Sequence, residues 1–367
     1  MKALEYYGLK NLKFVKDRQE PQIAHPHEVK IKVKYVGICS PDVKEYQDGP
    51  SFFKEEVEDS SKKGPVMGHE FSGEIVEIGE AVKDLHVGQN VVLSASGNCH
   101  DKKILEQKEQ TICDACAEGC YNCCQQKSYY GLGLGDGGMA EYVVVGDAHV
   151  IPYPDDVIPP DVAALMESLA VSWHGVRTSR IVDEKRDNSA LVIGGGPIGL
   201  STVLALRGQN IDNIVVSEPE KGRREVAEKL GAKVFDPTNR SNSIEDLVEL
   251  SDAKIGYSYV YDCSGRRESF DTMLSCVKPG GVATNITMAL DKSVRQWPMM
   301  LTKHECIYKG STAYVREDFD EVISAFEGGQ LDPQEVKLLI TEKKKLEEGV
   351  DAFSKYTKDN VKVLLSP

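Results

Sequence analysis

Asn188-Ser189-Ala190-Leu191-Val192-Ile193-Gly194-Gly195-Gly196-Pro197-Ile198-Gly199 is the stretch whose reading sets the fold. Its apolar run has no polar alternation, as expected of a strand buried on both faces. It runs directly into Gly194-x-Gly196-x-x-Gly199, and Leu200 to Arg207 behind it reads as a helix. Between a strand and a helix, each glycine has its own task. The first makes the tight turn, the second lets backbone approach a pyrophosphate, and the third lets helix and strand pack closely. Unpaired N–H groups at the helix start then face a diphosphate. Glu218 closes the next apolar run, Ile214-Val215-Val216-Ser217, about 20 residues on, where a carboxylate holds ribose hydroxyls. A 2′-phosphate would meet that charge unfavourably, so NAD is expected over NADP, with Arg223 and Arg224 just beyond softening the preference. The candidate cofactor residues are Gly194, Gly196, Pro197, Ile198, Gly199, Glu218 and Arg223. The rival reading is a structural turn that holds no cofactor.

Beyond Glu218, Arg223 to Leu230 reads as a helix stopped by Gly231, and Tyr257 to Asp262 as a strand. Ser269 to Val277 reads as a helix ending before Pro279-Gly280-Gly281, and Val282 to Ile286 as a further strand. Strands alternating with helices predict an α/β, Rossmann-type doubly wound parallel sheet over residues 161–307. Residues 1–160 read differently, as short strands with glycine turns: Val29 to Val36, Phe71 to Gly79, Gln89 to Leu93 and Ala140 to Val145. Two polar excursions, Phe52 to Gly64 and His100 to Thr111, read as surface loops. Residues 308–367 return to a mixed style, with helices over 318–328 and 346–356 and a final strand from Asn360 to Leu365.

Composition narrows the function classes. The chain has 367 residues, with 44 Lys and Arg against 58 Asp and Glu, a net charge of −14. That balance argues against a nucleic-acid partner and against an anionic membrane surface. No apolar run reaches the ~18 residues of a transmembrane helix. The start, Met1-Lys2-Ala3-Leu4-Glu5-Tyr6, has no apolar leader, and the end, Leu364-Leu365-Ser366-Pro367, is neither a prenylation box nor a peroxisomal signal. A cytoplasmic location is the expectation.

Ten cysteines without a secretion signal are expected to be mostly reduced. Six fall between Cys99 and Cys124, a crowding that points to metal. Cys99, Cys113, Cys116 and Cys124 form one candidate zinc set; Cys113, Cys116, Cys120 and Cys123 form a compact rival, and an iron–sulfur cluster is a third reading. Elsewhere, Cys39, His69 and Glu167 are a thiolate, an imidazole and a carboxylate, the residue types that a catalytic zinc with an open fourth position requires. No spacing rule joins positions so far apart. The plain alternatives are a packed thiol at Cys39 and a hydrogen-bonded core imidazole at His69.

Several motifs occur in one order: Gly37-Ile38-Cys39, Gly68-His69-Glu70-Phe71-Ser72-Gly73, Val87-Gly88-Gln89-Asn90-Val91, Gly137-Gly138-Met139-Ala140-Glu141-Tyr142 and the glycine turn at Gly194. That order resembles the zinc-dependent medium-chain alcohol and polyol dehydrogenases over essentially the whole chain. Glu45-Tyr46-x-Asp48-Gly49-Pro50, Asp161-Val162-Ala163-Ala164-Leu165-x-Glu167, Trp173-His174, Val216-Ser217-Glu218-Pro219 and Asp262-Cys263-Ser264-Gly265 sharpen the resemblance to the fungal (R,R)-2,3-butanediol dehydrogenases. It implies a mostly-β GroES-like catalytic domain over 1–160 and a C-terminal return to it. It implies Cys39, His69 and Glu167 as catalytic zinc ligands, with Glu70 as the acid beside the metal. It favours Cys99, Cys113, Cys116 and Cys124 for a structural zinc and leaves Cys120 and Cys123 as extras.

The implied reaction is NAD-linked interconversion of a secondary alcohol or vicinal diol, such as 2,3-butanediol, with a ketone of the acetoin or diacetyl kind. The nicotinamide would be held by the second domain across an interdomain cleft, in a homo-oligomer. Sorbitol-like or threonine-like oxidation is the nearest rival, and a non-catalytic NAD-binding protein the rival from another class. One departure stands out. Where the family carries a Ser or Thr hydroxyl to start a proton relay, this chain has Pro41, and the relay histidine is Lys44. Either Ser40 takes over, or water carries the proton, or the relay is impaired. Tyr46, Trp173 and His174 are candidates for pocket lining or for packing.

Overall fold

The computed structural model describes residues 1–59, 63–101, 111–179, 188–239, 243–287, 298–357 and 359–367. Parts of both polar excursions, residues 60–62 and 102–110, lie outside the described residues. The chain forms two compact units. The first comprises Met1–Glu167, Val315–Phe319 and Ile340–Pro367; the second comprises Ser168–Tyr314 and Asp320–Leu339.

The first unit is built on a seven-stranded sheet whose long central strand is Glu28–Ile38. That strand pairs antiparallel with Glu70–Ile78, with Tyr142–Gly146 and with the last strand, Lys362–Ser366. Asn90–Leu93 and Val150–Pro152 extend one side, and Ile340–Lys345 closes the other, parallel to the last strand. The apolar side chains pack into one core that includes Leu4, Ile31, Val66, Phe71, Tyr130 and Phe353. Strict alternation along Val29–Val36 is broken at Lys30, which is buried beside Glu20 and Glu77. Its ammonium lies 2.5 Å from Glu20 and 3.8 Å from Glu77, so a strand lysine need not mark an exposed face.

Strand register decides which residues meet at the end of this sheet. Gly37 stands opposite Glu70, and Ile38 opposite Val363. The chain leaves the central strand at Cys39 and enters the helix Ser40–Asp48, while Lys362 begins the last strand beside it. Three segments remote in sequence thus end at one point. No element was read from the sequence after Cys39, where the chain forms this helix. Proline is tolerated in the first helical turn, where its missing N–H has no intrahelical partner.

The second unit holds six parallel strands: Lys233–Phe235, Asn213–Ser217, Ser189–Ile193, Tyr257–Asp262, Val277–Asn285 and Ile307–Gly310, in that spatial order. Counted in chain order this is 3-2-1-4-5-6, the doubly wound order that reverses beside the first strand. Helices Pro197–Gly208 and Arg267–Cys276 pack on the sheet, and Leu191, Val215, Val260, Met273 and Ala283 fill its core. Ala163 to Val176, which reads as one helix in the sequence, falls across two, Pro160–Ala163 and Met166–Ser179.

The domain limits expected at 160 and 308 differ in detail. Residues 161–167 belong with the first unit, and residues 308–314 and 320–339 with the second. Side chains in 320–339 explain the latter: Trp173 Nε1 donates to Glu321 at 2.5 Å, and Arg207 Nη1 to Glu335 at 2.8 Å. No helix among the described residues is long and apolar enough to cross a membrane.

Candidate metal centres and dinucleotide site

Cys39, His69 and Glu70 come together at the end of the central strand, with one ligand atom of each lying within 4.8 Å of the others. Cys39 caps the helix Ser40–Asp48, and its backbone N–H donates to Asp42 Oδ2 at 2.9 Å. The other carboxylate oxygen, Asp42 Oδ1, stands 3.4 Å from His69 Nδ1. Both of those atoms are buried and lack a well-aligned hydrogen bond. A zinc-bound imidazole characteristically offers its second ring nitrogen to a carboxylate. Asp42 therefore stands where it can orient His69 and leave Nε2 for a metal. Burial alone would pull the imidazole down, but the charge of Asp42 outweighs it, and His69 lies well above its ordinary value.

Glu70 is fully buried, and Lys362 Nζ bonds both of its carboxylate oxygens. Burial pushes this carboxyl up, yet the Lys362 charge, helped by His69, brings it below the ordinary value. Gly37 admits the carboxylate: a Cβ there would sit 2.6 Å from Glu70 Oε2. Burial, then the Glu70 charge, pushes the Cys39 thiol up to about 11. Metal binding at Cys39 thus has to displace a proton. Thiol, imidazole and carboxylate packed this closely fit zinc.

Glu167 is not in this close group. It lies buried in the first turn of the helix Met166–Ser179. It acts on the same neighbourhood nonetheless. Burial and the Glu167 charge push the Tyr129 phenol up to about 12, while the His69 charge opposes them. Ser40 is exposed in the first helical turn, and Pro41 beside it offers no side-chain proton. Lys362, Asp42 and Tyr129 were not singled out from the sequence. For Lys362 a signal existed, a lone cation in the apolar run Val361-Lys362-Val363-Leu364-Leu365. Tyr46 is a packing residue, its ring 5.5 Å from that of Phe353, and Trp173 is tied to Glu321.

The second cluster is Cys99, Cys113, Cys116 and Cys124, four buried thiols whose sulfurs lie within 4.8 Å of one another. Cys99 Sγ is 3.4 Å from Cys124 Sγ, and Cys113 Sγ is 4.0 Å from it. A tetrahedral site with Zn–S near ~2.3 Å has sulfur–sulfur edges of about 3.8 Å, so the spacing suits a closed zinc site. The sulfurs are too far apart to be bonded as disulfides, and all four cysteines are free. Backbone N–H groups at Gln125 and Cys116 hold the Cys113 thiol down at about 6. The Gln126 N–H donates to Cys124 Sγ at 3.3 Å. Cys120 and Cys123 are exposed and stand outside the group, which disfavours the compact rival set.

In the second unit, the glycine turn joins Ser189–Ile193 to Pro197–Gly208, as its spacing requires. Gly194 has φ +99°, and a Cβ on Gly199 would lie 1.7 Å from the Gly194 carbonyl oxygen. No other side chain fits there. Glu218, buried after the strand Asn213–Ser217, accepts from Gly195 N at 2.5 Å and Glu220 N at 2.8 Å. Arg224 is engaged elsewhere, with the carbonyls of Glu218 and Pro219 and with Asp236. Arg223 lies beside the turn, its Nη1 3.4 Å from a Cβ placed on Gly196. A buried carboxylate and a committed Arg224 suit a ribose diol better than a 2′-phosphate.

Comparison with known proteins agrees with this geometry. Residues 25–155 match the alcohol dehydrogenase GroES-like domain, and residues 197–328 match the zinc-binding dehydrogenase domain. The chain is 40% identical to a protein named probable diacetyl reductase [(R)-acetoin forming] 2 of Saccharomyces cerevisiae, over 100% of this chain and 90% of that one. It is also 40% identical to an (R,R)-butanediol dehydrogenase of the same yeast, over 100% and 98%. The crystal structure of 2R,3R-butanediol dehydrogenase from Bacillus subtilis superposes with a TM-score of 0.83 at 30% identity, covering 100% and 99% of the two chains.

Proposed function

This chain belongs to the zinc-binding medium-chain alcohol and polyol dehydrogenases, and from that premise we propose that it interconverts a vicinal diol of the 2,3-butanediol kind with its α-hydroxyketone, using NAD. The observation that carries the reading is the convergence of Cys39 and His69 beside a buried carboxylate, in a chain that also bears the glycine turn and Glu218. When bound, zinc supplies the Lewis acidity that brings an alcohol hydroxyl toward neutral pKa, and NAD accepts the hydride.

The chain's own residues divide the remaining work. Cys39, His69 and Glu167 are the proposed ligands of the catalytic zinc. Glu70 is the alternative third ligand, but its two oxygens are already held by Lys362. Asp42 orients His69. Ser40, exposed beside Cys39, passes the leaving proton to solvent, a task Pro41 cannot share. Cys99, Cys113, Cys116 and Cys124 hold the structural zinc. The turn Gly194 to Gly199 receives the diphosphate, Glu218 the adenosine ribose, and Arg223 flanks the turn.

Self-association is part of the reading. Ile307–Gly310 is an edge strand of the six-stranded sheet, and its Ile307 and Tyr308 are exposed. Exposed apolar side chains on an edge strand are a surface proteins normally cover, and a second copy of the chain would do so. A reducing, cytoplasmic setting suits ten free cysteines.

The test is zinc stoichiometry together with an NADH absorbance assay on a panel of diols, polyols and amino alcohols. Two zinc ions per chain and oxidation of 2,3-butanediol are expected. Zinc-loaded protein that oxidises sorbitol or threonine but no vicinal diol would move the substrate to the rival class. Tight NADH binding with no turnover of any substrate would make the chain a non-catalytic NAD-binding protein.

A further inference from the structure

We propose that Cys120 and Cys123 form a reversible dithiol–disulfide site, oxidised by a small-molecule disulfide, on the rim of the four-cysteine cluster. The two thiols are exposed, whereas Cys99, Cys113, Cys116 and Cys124 are buried. A solvent-borne oxidant therefore meets the first pair without entering the cluster. Backbone geometry brings the pair together. Cys123 N donates to Cys120 O at 2.9 Å, closing a turn that continues as the single 3₁₀ turn Tyr121–Cys123. Cys120 caps that turn and Cys123 is its last residue, so the two cysteines stand at its two ends. The ends of such a turn lie within ~7 Å between Cα atoms, and disulfides span roughly 4.4–6.8 Å.

The turn is held in place from outside as well. Cys120 N donates to Ala115 O at 2.8 Å, Cys124 N to Tyr121 O at 3.1 Å, and Lys127 Nζ to Asn122 O at 2.9 Å. Little conformational freedom is left for ring closure to remove. Cys124, the next residue, directs its sulfur inward to Cys99 and Cys113. Bond formation between Cys120 and Cys123 therefore leaves the four-sulfur group intact.

The chemistry is a two-step exchange. The sulfur of one cysteine attacks a small disulfide, forming a mixed disulfide and releasing one small thiol. The sulfur of the other then attacks the bound sulfur of its partner and expels the second small thiol. The two cysteines lose two protons and two electrons in all, and the small disulfide takes up both and is reduced to two thiols. Nothing in this depends on which alcohol the protein oxidises.

Zinc-loaded full-length protein incubated with oxidised glutathione, alkylated and analysed by mass spectrometry gives the test. The expected product is lighter by two hydrogens, carries no glutathione, bridges Cys120 to Cys123 and keeps its full zinc content; dithiothreitol reverses it. Cys120→Ser and Cys123→Ser should each trap one glutathione on the surviving cysteine, with NAD-linked activity unchanged before oxidation. Three results on the wild-type protein would overturn the proposal: no reaction at either thiol, a stable glutathione adduct in place of the bridge, or a bridge that includes Cys99, Cys113, Cys116 or Cys124 with release of zinc.

Discussion

Replacing Lys362 by methionine isolates the electrostatics of the proposed catalytic centre. Lys362 and Glu70 are each fully buried, and the ammonium bonds both carboxylate oxygens. Removing one partner of such a pair leaves a buried charge without compensation, at a cost of about 3–5 kcal/mol. At roughly 2–4 °C per kcal/mol for units of 150–250 residues, the melting temperature should fall by about 6–20 °C. The sign of the pH dependence is set by Glu70. In the native protein its carboxyl lies below the ordinary value, so it contributes stability that is present above an unfolded pKa of ~4.3 and is lost as pH falls through the lower folded value. In Lys362→Met burial acts unopposed by the ammonium and the folded value rises. The penalty then applies at neutral pH and fades as acid protonates Glu70. The difference between native and variant should thus be widest near neutrality and narrow toward about pH 5. Thermal denaturation followed by circular dichroism, with zinc content checked in parallel, measures both quantities. Glu70→Gln in the Lys362→Met background should recover most of the loss, because no buried charge is left to strand. Equal melting temperatures for the single and double variants, or a penalty independent of pH, would refute the account.

Four further outcomes are expected. Gly199→Ala forces a Cβ onto the Gly194 carbonyl and should weaken NADH binding by ~100-fold or more, at about 3 kcal/mol of overpacking, measured by fluorescence titration; an affinity within a few-fold of native would count against the turn as the diphosphate site. Glu218→Ala removes the carboxylate proposed to hold the ribose and should cost about tenfold in NAD affinity while narrowing the gap to NADP; isothermal calorimetry with both cofactors would expose an unchanged ratio. Ser40→Ala should slow turnover on the order of tenfold near pH 7 and less at high pH, where hydroxide removes the proton directly; an unchanged pH profile would exclude Ser40 from the proton path. Cys124→Ser should remove one of two zinc ions per chain and lower the melting temperature while Cys39 and His69 keep theirs, read by metal analysis; full zinc retention would exclude Cys124 as a ligand.

Legibility in the sequence tracked the range of the forces involved. The glycine turn was readable because its strand, loop and helix are contiguous, and each residue's task is set by neighbours a few positions away. The four-cysteine set was readable only as one of several, since spacing permits both Cys113-Cys116-Cys120-Cys123 and the wider choice. Burial separated them, with Cys99 drawn in and Cys120 and Cys123 turned out. Lys30 and Lys362 show the opposite limit. Both lie in strands whose pattern alone would expose or forbid a cation, and both are buried because carboxylates from other strands meet them. The helix after Cys39 carries Pro41, whose place in the first turn removes the usual penalty.

The doubly wound sheet, its glycine turn and the carboxylate at Glu218 after the second strand were all set by the sequence alone, because they arise from local periodicity and steric room that a contiguous stretch encodes. Tertiary structure alone decided that Cys39, His69, Glu70 and Lys362 meet. Their meeting depends on antiparallel register between Glu28–Ile38, Glu70–Ile78 and Lys362–Ser366. Register between distant strands is set by which faces the whole core buries, and no spacing along the chain records it.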